Sequence, residues 1–312
     1  MQKAPIQPYN MQIIEFPTGE VQIRTYSKTF GEHTPEKKPS KKQPKKQPTA
    51  YLEGFGECTV YTQEEWTAYE KKKELNLYNS MQNTKKAVYR IARSVKWEYM
   101  LTITFDQSKI SYERTDYQQC ARQVCQFLRN QRRTSPDIKF LVIGEPHKRL
   151  EDNGLPAWHF HCLVADVPGM IFTDSGRVAV GKKSYSKKRG IKGRPILNVG
   201  GWKYGWSTAT KIEGDDYVKV SKYVLKYITK TFVTSIRGKG VHRYYVSKNI
   251  PKPQITRKNI KQSRMDEYIN EILENRDKEI ASTHTSSRYI DTTFYELKDK
   301  EGDKDYDNPT AE

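Results

Sequence analysis

The chain has 312 residues, with 55 Lys and Arg against 37 Asp and Glu and a formal net charge of +18. That excess disfavours a neutral housekeeping enzyme and suits a polyanion, because Lys and Arg that neutralise phosphates release condensed counterions; nucleic acid is the leading partner and acidic membrane the weaker one. The longest apolar run, Phe140 to Ile143, is far short of the ~18 residues of a membrane span, and the start lacks a basic-then-apolar leader, so a soluble, cytoplasmic protein is expected.

At ~100–200 residues per domain, one main domain with appendages is expected. Four cysteines without C-x-x-C spacing (Cys58, Cys120, Cys125, Cys162) read as reduced, buried thiols rather than a disulfide framework or zinc ribbon. In chain order, Ile13 to Phe16 and Val21 to Tyr26 flank Pro17-Thr18-Gly19 as a small hairpin. Gly31 to Ala50 is rich in Pro and Lys and reads as a linker.

From about Leu77 to Lys96, Met81, Val88, Ile91 and Val95 recur at helical spacing, opposite Lys85, Lys86, Arg90 and Arg93, which predicts an amphipathic basic helix. The following YMLTITF alternates as a half-buried strand. A second helix begins at the capping-box pattern Thr115-Asp116-Tyr117-Gln118 and runs through Cys120, Ala121, Val124 and Leu128, with Arg122, Arg129, Arg132 and Arg133 outward. Lys139 to Glu145 and Ala157 to Ala165 are two antiparallel strands joined across Asp152-Asn153-Gly154. Arg177 to Arg194 holds eight basic residues and no acid and reads as an exposed loop. A strand at Trp206 to Ile212 leads to a helix carrying YVLKYITK. Arg243 to Ser247 is a last strand, Asn259 to Asn275 a surface helix and Glu296 to Glu312 an acidic tail.

His159 and His161 are two apart on a strand, so both imidazoles point to one face; alone, they fit a structural pair as well as a metal site. Folding the hairpin symmetrically about Asn153-Gly154 places Glu145 opposite Cys162, and a one-residue offset, which Pro156 makes plausible, brings it onto the histidine face. Two His and one carboxylate with open positions suit a divalent ion that polarises a phosphoryl oxygen; His147 is the rival third ligand, with Glu145 preferred. On the second-last helix, Tyr223 and Tyr227 are four apart, with Lys226 and Lys230 on the adjoining stripe, and share one exposed edge, while Val224, Leu225 and Ile228 turn away. Nearby cations favour a phenolate nucleophile, and a solvated Tyr-rich edge is the plain alternative.

Taken in order, LTITF, HFH on a strand and YVLKYITK on a helix resemble the three motifs of HUH-superfamily rolling-circle replication initiators, in particular the two-tyrosine type of small single-stranded-DNA phages and related plasmids. Flanking Trp202-Lys203-Tyr204-Gly205 and Arg243-Tyr244-Tyr245-Val246-Ser247 extend the resemblance over about Leu77 to Pro253. It implies an α+β fold with a central antiparallel β-sheet carrying the His-x-His strand, flanked by helices in an RRM/ferredoxin-like palm. The expected organisation is an arm at 1–30, a linker at 31–50, the endonuclease domain at 75–253, and a helix and acidic tail at 254–312.

The resemblance also implies that Mg²⁺ or Mn²⁺ is held by His159, His161 and Glu145. Tyr223 and Tyr227, helped by Lys226 and Lys230, would cleave and rejoin single-stranded or extruded origin DNA through a 5′-phosphotyrosine. Thr102 and Thr104 match the first motif as scaffold and DNA contacts. Lys182, Lys183, Lys187, Lys188 and Arg189 are candidate backbone grips. Host helicase and polymerase are expected partners, with no membrane and no nucleotide cofactor.

A relaxase or transposase of the same superfamily, or a noncatalytic single-strand binder or repressor, are the alternatives. Gly176 to Lys183 nearly fits a phosphate loop, but Lys183 holds the Ser/Thr position and no apolar helix follows. Asp215 and Asp216 are read as helix caps rather than metal ligands, and Trp158, Phe160, Trp202 and Trp206 as core rather than base-stacking residues.

Overall fold

The computed structural model describes residues 7–31, 49–52, 56–59, 63–181, 183–190, 192–214, 216–233, 241–286 and 290–299. Its elements begin with strands β1 (Tyr9–Glu15), β2 (Val21–Phe30), β3 (Thr49–Leu52) and β4 (Gly56–Thr59), followed by helix α1 (Gln63–Arg93). Next come β5 (Tyr99–Thr104), α2 (Tyr117–Asn130), β6 (Lys139–Leu150), β7 (Pro156–Ala165), β8 (Phe172–Val180) and β9 (Lys183–Ser186). Then follow β10 (Arg194–Val199), β11 (Ser207–Lys211), α3 (Asp216–Val233) and β12 (Tyr244–Val246). The last are β13 (Gln254–Lys258), α4 (Met265–Asn275), β14 (Lys278–Ser286) and β15 (Thr292–Asp299). The fold is mixed α+β with two large antiparallel sheets. No described helix is long and apolar enough to cross a membrane.

The chain divides into two compact units, one of residues 62–252 and the other of 1–61 with 253–312. The first is built on an eight-stranded sheet in the order β12-β6-β7-β5-β11-β10-β8-β9. Period-two alternation sorts its side chains. Leu101, Ile103, Phe140, Val142, Phe160, Cys162 and Val164 bury one face against Tyr117, Cys120, Val124 and Leu128 of α2. Leu141, Ile143, Leu163 and Ala165 bury the other against Val88 and Ala92 of α1 and Val224, Tyr227 and Ile228 of α3. Each such large side chain removed from water contributes about 1.5–3 kcal/mol. The histidine-bearing strand is thus clamped between helices at its centre.

Several boundaries differ from the sequence reading for physical reasons. Helix α1 starts at Gln63, not near Leu77, because residues 66–77 are exposed and supply no apolar period, while their Glu, Lys and Leu are good helix formers. It stops at Arg93, yet Val95 beyond it remains buried. Helix α2 is capped by Asp116, one residue later than the capping box suggests, its carboxylate accepting from Gln119 N at 3.0 Å. The basic stretch 177–194 is not a loop. It forms β8, β9 and the start of β10, an exposed antiparallel ribbon turned at Gly181, whose φ of +57° suits glycine.

The other unit carries a five-stranded sheet in the order β13-β1-β2-β15-β14. The expected hairpin is present as β1 and β2, closed by Gly19 N donating to Phe16 O at 2.9 Å. Its neighbours come from the far end of the chain: β13 pairs with β1 and β15 with β2. Met265, Ile269 and Ile272 of α4 pack on Met11, Ile13, Val21, Ile23 and Leu297. Glu296 to Asp299 of the acidic segment lie within β15; residues 300–312 and the linker residues 32–48 fall outside the described residues.

Candidate active site

Phe160 and Cys162 of β7 enter the core beneath α2, so alternation turns His159 and His161 to the opposite face, towards α3. On the neighbouring strand Glu145 pairs with His159, and Val142 rather than Glu145 stands opposite Cys162. The offset is therefore larger than one residue. It is taken up in β6, between Pro146 and Leu150, and not at Pro156, which pairs with Leu150. Pro146 offers no N–H to the ladder, which makes this the place where pairing slips.

Glu145 Oε2 lies 2.7 Å from Nε2 of both His159 and His161. One ligand atom from each of the three residues falls within 4.8 Å of the others, and Glu145 and His161 are buried. This group can hold a metal ion: two imidazole nitrogens and a carboxylate oxygen suit a first-row divalent cation and leave positions open on the α3 side. Burial pushes the Glu145 carboxyl up, but hydrogen bonds from His159, His161 and Lys230 outweigh it and hold the group well below the usual carboxylate range. Burial, against the pull of Glu145, lowers the His161 pKa, so the neutral, ligating imidazole is favoured. His147 is exposed, its ring centroid 4.7 Å from that of His159, and it lies outside the three-residue group.

Thr102 and Thr104 stand directly across β5 from His161 and His159. Thr102 Oγ1 is 3.3 Å from His161 Nδ1. Thr104 turns instead to the next strand: its Oγ1 donates to Trp206 O at 3.1 Å and accepts from Trp206 N at 3.2 Å. Trp202 Nε1 donates to Thr104 O at 3.1 Å. A Cβ on Gly205 would come within 2.3 Å of that same oxygen, so only glycine lets the chain close on the end of β5. The sequence offers Gly205 as part of a familiar tetrad, and its steric reason is this close approach.

On α3 the four-residue spacing stacks Tyr223 and Tyr227, ring centroids 5.4 Å apart and edge to face. They do not share one exposed edge. Tyr227 is buried and lies flat on His161, at 3.8 Å between centroids and 14° between planes, whereas Tyr223 is 45% exposed. Lys226 Nζ sits 3.2 Å from the Tyr223 ring centroid and 4.5 Å from that of Tyr227. Lys230 pairs with Glu145 Oε1. Burial raises the Tyr223 pKa, but hydrogen bonds from Lys226 and Tyr227, with the Lys226 charge, bring it below the ordinary phenol value. Tyr227 is shifted far upward by burial, by its bond to Tyr223 and by the charges of Tyr223 and Glu145. The two phenols are therefore set apart, one poised to ionise and the other held neutral.

The basic ribbon is not brought to this cluster. Strand β9 lies five strands from β7, about 24 Å across the sheet. Lys183, Lys187, Lys188 and Arg189 are exposed there, with Lys187 paired to Asp174 at 2.5 Å, while Lys182 lies outside the described residues. Gly176 to Val180 and Lys183 belong to strands β8 and β9, so no helix follows to make a phosphate loop. Asp216 opens α3 and pairs with Lys219 at 2.8 Å and Arg194 at 3.6 Å, away from the metal group; Asp215 is outside the described residues. Trp158, Phe160 and Trp202 are core residues, but Trp206 is 77% exposed.

No curated protein and no solved structure matches the chain significantly. Residues 98–232, from just before β5 to the last turn of α3, match the model of a family described as replication-associated protein ORF2, as befits a replication initiator that engages DNA.

Proposed function

We propose that the chain is a metal-dependent, sequence-specific single-stranded DNA endonuclease and strand-joining enzyme that starts rolling-circle replication. The observation that carries this reading is the stacking of Tyr227 on His161 within the Glu145–His159–His161 group, with Tyr223 hydrogen-bonded behind it. Mg²⁺ or Mn²⁺ held there would polarise the scissile phosphate and offset its charge.

The chain's own groups perform the rest. Lys226 and Tyr227 favour the Tyr223 phenolate, whose oxygen attacks phosphorus; a P–O(Tyr) bond forms, the P–O3′ bond breaks, and the phenolic proton is exchanged for one that ends on the 3′ oxygen. The product is a 5′-phosphotyrosine and a free 3′-OH for a host polymerase, with a host helicase separating strands. Tyr227 is the second phenol for the rejoining cycle, once DNA draws it from its stack. Lys230 keeps Glu145 ionised and oriented.

The test is incubation with single-stranded DNA of the chain's own replicon plus Mg²⁺ or Mn²⁺, followed by denaturing gels. A covalent adduct is expected that needs the metal and disappears in the Tyr223→Phe/Tyr227→Phe double variant. Adducts that persist in the double variant would refute the assignment. Tight binding without any adduct would leave a noncatalytic binder, and cleavage at a transfer or transposon end instead of a replication origin would leave a relaxase or transposase.

A further inference from the structure

Trp206 is the most exposed large apolar side chain among the described residues, at 77%. It is not a loose one. Thr104 N donates to its carbonyl at 2.8 Å, Thr104 Oγ1 bonds both its carbonyl and its N–H, and Gly205 before it is packed on the β5 backbone. An indole is normally withdrawn from water, and here the backbone is pinned so that it is not.

Its placement gives the reason. Ser207 pairs with Ile103, so Trp206 continues the ladder opposite Thr104, and Thr104 in turn pairs with His159 and His159 with Glu145. The four residues form one row across the sheet. Ala209 is buried beneath α2, so alternation puts Trp206 and Thr208 on the other face, that of the metal group. Two strand spacings separate Trp206 from His159, about 10 Å. Helices α1 and α3 cover that face over β6 and β7, whereas Thr208 and Thr210 of β11 are only half-buried and Asn198 of β10 is exposed. Exposed Lys203 and Lys211 stand at either end of this open strip.

We propose that Trp206 is a stacking platform for an unpaired DNA base next to the scissile phosphate, on an open threonine-lined track leading to the metal group. The orientation of the strand rests on the nicking reading; the stacking itself does not. A flat π-face takes any base, so the site would demand single-strandedness rather than sequence, and at ~3.4 Å per stacked nucleotide it lies within about three nucleotides of the reacting phosphate. It would therefore reject a paired base at this position.

The probe is a fluorescently labelled 20-nucleotide oligodeoxythymidine, titrated by anisotropy with the full chain in EDTA. Trp206→Ala is expected to weaken binding roughly 5- to 100-fold, the range of one base–aromatic stack, and Trp206→Phe to stay within about threefold of the parent. The slope of log affinity against log salt should be unchanged, because no phosphate contact is lost. Affinity for a 20-base-pair duplex should not move. Trp206→Ala within twofold of the parent, an equal loss on duplex, or no binding of the oligonucleotide by the parent would each overturn the proposal. Loss of oligonucleotide binding in a chain that forms no adduct would sink the nicking reading and leave the platform standing; a normal adduct with unchanged binding would do the reverse.

Discussion

An imidazole that presents Nε2 to a cation carries its proton on Nδ1, and Thr102 Oγ1 is placed 3.3 Å from Nδ1 of His161 to accept it. Thr102 is therefore a positioning residue for the metal group. Thr102→Val should lower Mn²⁺ affinity about 10- to 100-fold, with Thr102→Ser restoring it, as read by calorimetric titration. His161→Ala removes a ligand outright. At Mn²⁺ a hundredfold above the dissociation constant, the parent should gain about 2.7 kcal/mol of stability, and the variant none, while its salt-sensitive DNA binding persists. Equal thermal shifts in parent and His161→Ala would exclude these residues as the site. Tyr227 adds a packing role to its proposed chemistry, since its ring covers His161 on the side away from the strand.

At the scale of elements, the end of β5 is held by a closure that depends on one missing methyl group. Gly205→Ala would force a Cβ against Thr104 O and the Phe105 backbone, and overpacking of this kind costs about 1–3 kcal/mol. For a unit of this size the melting temperature should fall by roughly 2–4 °C per kcal/mol, with oligodeoxythymidine binding weakened in parallel as Trp206 loses its anchor. An unchanged melting curve would mean the loop yields freely. These elements also show what the sequence makes legible. Strand β7 and the facing of its two histidines follow from period two, and the buried stripe of α3 from its Val224 and Ile228 spacing. The burial of Tyr227 does not follow, because it sits at the border of the apolar stripe, where only the height of the neighbouring His161 decides. Nor does the register of Glu145: a slip at Pro146 is decided by pairing energies across the ladder and leaves no mark in the pattern. The β8–β9 ribbon is hidden by its charge, since a strand exposed on both sides has no alternation to read.

For the whole molecule, three of the five strands in the smaller sheet, and its helix α4, come from beyond residue 252. Nothing local in β1 or β2 announces partners so distant in the chain, which is why the two ends read as separate appendages. Removing residues 253–312 would uncover Ile13 and Ile23 and leave β1–β2 as a bare hairpin, which is at best marginally stable alone. Limited proteolysis should then cut within residues 7–31, while the Mn²⁺-induced thermal shift of the 62–252 unit is kept; protection of that hairpin in the shortened chain would refute this. The same topology makes the eight-stranded unit an insertion within the chain of its companion. During synthesis the first hairpin must therefore wait for β15 until the whole inserted unit has left the ribosome, on the order of 10–50 s at ~5–20 residues per second. Throughout that interval both hairpin edges offer unpaired backbone, so the growing chain's yield will depend on how well they are shielded during translation.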